Sequence, residues 1–163
     1  MQELATNWAS IYSNHGLISL STSSGYRSSR YDPEGEHIVV ASECEHDILG
    51  QSLFAVLEKS RVLHPEEAPG FYDLANTESN YEHFISSLLH RFGDMPRRKA
   101  FTKMLHCSVS VRSGEIIIKP SKKERGEAWS GSGFNESDDV HLPHKSSAAE
   151  IGAAIKAVLA KCK

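Results

Sequence analysis

The sequence contains no apolar run near the roughly 20 residues that a bilayer-spanning helix needs. Its most apolar stretch, IGAAIKAVLA at residues 151–160, is interrupted by Lys156, and no membrane partner is expected. The N-terminal MQELATNW carries an acidic residue and no basic cluster ahead of an apolar run, so no secretory signal is read there. Cysteine is scarce. Cys44, Cys107 and Cys162 are odd in number and scattered, which points to reduced thiols in a cytoplasmic protein rather than to a disulfide framework. CxxC, HExxH, Walker and dinucleotide patterns are all missing. SGSGF at residues 130–134 lacks the GxSxG order of a nucleophile elbow. His141 and His144 flank a proline that excludes a regular helix, and strand alternation would put them on opposite faces. No metal and no cofactor are expected.

Charge is present but unevenly placed. The net charge is −3, from 18 Lys/Arg and 21 Asp/Glu. Residues 96–125 hold nine Lys/Arg and two Asp/Glu, a local balance of +7, which leaves −10 for the remainder. The acidic residues cluster in DPEGE, ECEHD, PEE and NESDD. An acidic body repels nucleic acid and suits a basic partner.

Hydrophobic residues make up 39% of the 163-residue chain, enough for one domain with a real core, and residues 1–163 are read as a single domain. Residues 8–22 predict a hairpin turning at Asn14-His15-Gly16. Residues 23–36 are Ser/Gly-rich and polar and read as a loop. HIVVAS is a strand, and helical spacing runs from about Asp47 to Arg61. LHPEEAPG ends that helix. A second helix is expected over 79–92, and a short one after Pro96. CSVSVRSGEIIIKP predicts a hairpin around Arg112-Ser113-Gly114. Short strands are read at EAWS and DDVHLP, and a final helix from about Ser147 to Cys162.

One helix is written nearly twice. LGQSLFAVLEKSR at 49–61 matches IGAAIKAVLAKCK at 151–163 at an offset of 102, and a short strand precedes each. Glycine near the start of each helix costs roughly 1 kcal/mol against alanine. Close approach of the helix backbone to a sheet would explain it. The expected fold class is α+β: a largely antiparallel β-sheet with helices packed on it, including two similar strand-loop-helix units.

Two chemistries remain to be weighed. Cys44 lies two residues from His46, the minimum for a small Cys/His enzyme, but no activating arrangement accompanies them. RRKAFTK and KPSKKER could face nucleic acid, yet Phe101 is the one aromatic among them, too few for a stacking platform. No nucleic-acid partner is expected. A binding module fits better. Trp129, between small and acidic residues in EAWSGSGFNESDD, suits an interface anchor and equally a core tryptophan at a sheet end.

The run LGQSLFAVLEKSR, the hairpin SVSVRSGEIIIKP, the AW before a glycine-rich turn, the strand VHLP and the terminal IGAAIKAVLAKC occur in that order. Together they resemble the immunity proteins of bacterial contact-dependent growth inhibition, the CdiI family, over roughly residues 38–163. The resemblance implies a cytoplasmic, non-catalytic protein that neutralises the C-terminal toxin domain of its cognate CdiA, often a nuclease. Some such toxins insert a β-hairpin into the immunity protein's sheet. On this reading the toxin-binding residues are expected at Trp129, Glu136, Asp138 and Asp139, and at Tyr26 and Arg30 in the long early loop.

Overall fold

The computed structural model describes residues 3–163. The strands are β1 (Asn7–Asn14), β2 (Leu17–Gly25), β3 (Ser29–Tyr31), β4 (His37–Ala41), β5 (Leu105–Arg112), β6 (Glu115–Pro120), β7 (Lys122–Lys123), β8 (Trp129–Ser130) and β9 (Val140–Pro143). The helices are α1 (His46–Glu58), α2 (Pro69–Tyr72), α3 (Leu74–Arg91), α4 (Arg97–Phe101) and α5 (Ala148–Lys161), with a 3-10 turn at Glu136–Asp138. The main sheet runs β3-β2-β1-β5-β6-β9, all antiparallel, and β4 also pairs with β2. β7 and β8 form a separate ribbon.

The repeat is larger than the doubled helix suggests. At an offset of 98, Gly16 to Gly114, the hairpin β1-β2 maps onto β5-β6. Both turns place two residues at positive φ, His15 and Gly16 in one, Ser113 and Gly114 in the other. That geometry matches the twist of the flanking strands and favours glycine in second place. The registers repeat too. Ile11 faces Leu20 as Val109 faces Ile118, and Leu20 faces Ile38 as Ile118 faces Val140. Ser10 pairs with Ser108, its own counterpart, so a local two-fold passes between β1 and β5.

One face of the sheet carries α1 and α5. Ile11, Leu20, Val109 and Ile118 meet Leu49, Leu53 and Val56 from α1, and Ile151, Ile155 and Val158 from α5. Each such fully buried side chain contributes roughly 1.5–3 kcal/mol. The two glycines lie where the helices meet each other. A Cβ on Gly50 would overlap the Ala148 carbonyl, and a Cβ on Gly152 would overlap the His46 carbonyl. The close approach is therefore helix to helix, reciprocal across the two-fold, and not helix to sheet as the sequence suggested.

On the other face, α3, α4 and the turn after α4 bring Phe84, Leu88, Phe101 and Met104 onto Tyr12, Leu17, Tyr31, Val39 and Trp129. The elements responsible, residues 62–104, lie between the two copies. Some boundaries differ from expectation. The loop expected at 23–36 contains the end of β2 and all of β3, because nine-residue β2 is long enough to pair with β3 and β4 end to end. α1 stops at Glu58, and Ser60 and Arg61 turn back onto β2 and the following loop. α3 starts at Leu74, five residues before the expected position, because Asp73 caps the Asn76 N–H.

Candidate functional site

The β2–β4 loop is fixed by a buried carboxylate. Asp32 is 1% exposed. It accepts from Arg61 Nε at 2.8 Å and Nη2 at 2.9 Å, from the Ser24 hydroxyl at 2.6 Å and from the Glu34 N–H at 3.0 Å. Burial disfavours its charge, but these donors outweigh burial and hold the carboxyl below its ordinary value. In DPEGE, Asp32 thus belongs to the interior, while Glu34 stays exposed and pairs with Arg61 from outside. The sequence signal was slight: an aspartate opening a Pro-Glu-Gly turn, with its partner 29 residues away.

This clamp positions β3, and β3 presents Arg30. The guanidinium carbon lies 4.7 Å from the Tyr72 ring centroid and 6.0 Å from that of Phe71. Nη1 reaches the Thr77 hydroxyl at 3.3 Å, while Nε is buried without a partner. Arg30 borders a cleft of about 300 Å³ between the sheet and α3. Ser10, Ser21 and Ser23 line its sheet side, and Asn80, Tyr81 and Phe84 its helix side. Arg30 is the one ionised side chain in that lining. Tyr26 sits next to this region, with its ring 4.3 Å from that of His64 and the Arg27 guanidinium 5.8 Å away.

The other expected residues lie elsewhere. Trp129 is half-buried, donates its indole N–H to the Met104 carbonyl at 3.0 Å, and packs against Tyr12, His106 and Phe101. Nearby, Glu127 accepts from Tyr81 at 2.6 Å and from Arg97 Nε at 2.6 Å, tying the β7–β8 ribbon to α3 and α4. The Arg97 guanidinium holds Glu127 below the usual carboxylate range. Burial pushes the Tyr12 phenol beneath them up to about 12. Nothing in the sequence marked this network.

Glu136, Asp138 and Asp139 precede β9. Asp138 completes a capping box with Asn135, and Asp139 lies 3.8 Å from Lys119 with a side chain 12% exposed. Glu136 is exposed. β3 and β9 are opposite ends of the strand path. Five strand spacings, roughly 24 Å, therefore separate the Arg30 end from the acidic end. The structure does not gather the six residues into one patch.

The basic segment is likewise divided among α4, the β5–β6 hairpin and β7. Arg97 is bound by Glu82 and Glu127, and Lys119 faces Asp139. Among the described residues, no hydrogen bond joins the Cys44 thiol to His46. The Cys44 carbonyl instead accepts from Lys156 at 2.8 Å. No helix of the described residues is long and apolar enough to cross a membrane.

A family model described as CdiI, CDI immunity protein, matches residues 7–162. The chain belongs to the CdiI family. The curated immunity protein CdiI-YPIII of Yersinia pseudotuberculosis serotype O:3 (strain YPIII) is 32% identical to this CdiI-family chain, covering 96% of it and 95% of the relative. A chain of the solved CdiA-CT/CdiI toxin and immunity complex from Yersinia pseudotuberculosis superposes with a TM-score of 0.90 at 31% identity, covering 99% of each chain. The Neisseria meningitidis protein NMB0488, of unknown function, superposes with a TM-score of 0.88 at 27% identity, covering 100% of this chain and 98% of that one.

Proposed function

We propose that this chain is an immunity protein, which binds the C-terminal toxin domain of its cognate CdiA in the cytoplasm and neutralises it stoichiometrically, without catalysis. The observation that carries this reading is the end-to-end match to a chain of a toxin and immunity complex, with no element of the fold left over. The balance of −10 outside residues 96–125 supports a basic toxin such as a nuclease, whose surface must hold phosphate. Complementary charge of this kind raises association rate and partner discrimination more than affinity.

The test is co-expression with the cognate CdiA C-terminal toxin domain. Growth rescue together with an equimolar complex on purification is the expected result. Rescue at strongly sub-stoichiometric levels would point to catalysis instead, and no rescue with no complex would remove the immunity reading.

A further inference from the structure

We propose that the Arg30 cleft is a receptor for a carboxylate side chain of the toxin domain, an inference that rests on the immunity reading above. Three features of the cleft carry it. First, its lining holds a single full charge, positive, with no carboxylate to balance it. Second, donors are in surplus. Arg30 Nε is buried with no partner, and Nη1 makes only the 3.3 Å bond to Thr77. The Ser21 and Ser23 side chains also line the cleft, and their hydroxyls can turn to donate to a ligand there. A buried donor without an acceptor is costly, and an incoming acceptor relieves that cost. Third, the guanidinium is already oriented. Its carbon sits 4.7 Å from the Tyr72 ring centroid and Nη1 bonds Thr77, so the group is held in place before any ligand arrives, with a fork of N–H donors suited to a carboxylate.

The same features select the ligand. A carboxylate is planar, singly charged and matched to that fork. A phosphate dianion would bring two charges to a site with one cation. The cleft's volume of about 300 Å³ accepts a side chain rather than a strand of nucleic acid. Arg30, Phe71 and Tyr31 line it, Tyr72 lies against Arg30, and Tyr26 and Arg27 lie on the loop that precedes β3. Arginine and tyrosine are the residue types that dominate binding energy at protein interfaces.

Calorimetry with the purified cognate toxin domain tests this. Arg30→Ala should weaken binding roughly a hundredfold, because the toxin carboxylate would be buried without its partner. Asn80→Asp keeps the arginine but places a carboxylate in the lining, and should weaken binding comparably with no loss of melting temperature. Changing each toxin Asp and Glu to Lys in turn should identify one variant whose binding Arg30→Glu restores. If wild type binds tightly and both Arg30→Ala and Asn80→Asp bind as well as wild type, the cleft is not the receptor and the immunity reading stands. If wild type forms no complex at all, both fall. Titration of the free chain with glutamate and with inorganic phosphate is the last arm. Micromolar binding of either, with unaltered toxin affinity in Arg30→Ala, would make the cleft a small-anion site and overturn the proposal.

Discussion

Arg61 holds Asp32 through two parallel hydrogen bonds, and Asp32 itself is buried. The pair joins the segment after α1 to the loop that carries β3. Asp32→Ala would strand the Ser24 hydroxyl and the Glu34 N–H, although half-exposed Arg61 could turn to solvent. We expect a loss of about 2–4 kcal/mol in urea unfolding at pH 7. The pH dependence has a defined sign. A carboxyl held below its ordinary value of 3.8 contributes stability above that value and loses it as pH falls through the folded value. The difference between wild type and Asp32→Ala should therefore be full at neutral pH and shrink only below about pH 4.

The two helix glycines make a prediction of unusual sign. Gly→Ala inside a helix ordinarily stabilises by about 1 kcal/mol. Here each added methyl would collide with a carbonyl of the other helix, backbone that cannot rotate away. Gly50→Ala and Gly152→Ala should each destabilise by roughly 1–3 kcal/mol. The double variant should lose less than the sum, since the first methyl already spreads the helix pair. Additive losses in denaturant titrations would mean the two contacts are independent.

His37 and His106 make the fold sensitive to mild acid. Burial pushes each ring down to about 4, with the Arg91 charge assisting at His37. His106 bonds Ser121 and lies against Tyr12 and Trp129, and His37 bonds Ser19. Between about pH 6.5 and 4 the unfolded chain binds protons that the folded chain refuses. Stability should be level above about pH 6.5 and fall below it, by about 1.4 kcal/mol per pH unit for each histidine. Replacing either with asparagine should reduce that slope between pH 6.5 and 5. An unchanged slope in both variants would mean neither ring is neutral in the folded protein.

Inward-facing residues were the legible part of the sequence, and outward-facing ones hid the rest. The hairpins share Ile11 with Val109, Ile18 with Ile116 and Leu20 with Ile118, all packed on the duplicated helices. On the opposite face Tyr12 answers Ser110 and Leu17 answers Glu115. There the first hairpin lies under α3, while Glu115 is exposed, so the copies diverged and only the helices looked repeated. Asp32 was hidden for a different reason. A carboxylate in a Pro-Glu-Gly turn reads as surface until its arginine is placed. Arg30 was legible as a loop residue, but its cleft exists only once β3 meets α3.

The acidic edge before β9 needs a sharper probe than the sequence alone suggested. Reversing Asp138 removes the acceptor of the Asn135 N–H, and reversing Asp139 sets a second cation against Lys119. Loss of the cap alone costs about 1 kcal/mol, so any change in toxin binding would be confounded with local unfolding. Glu136 is exposed and its side chain accepts no hydrogen bond among the described residues, so Glu136→Lys isolates charge. We expect an unchanged melting temperature and a several-fold slower association with the toxin at low ionic strength. The deficit should fade as salt screens it, and dissociation should be unaltered. Stopped-flow association at two salt concentrations measures this directly. Equal rates at low salt would remove Glu136 from the encounter surface.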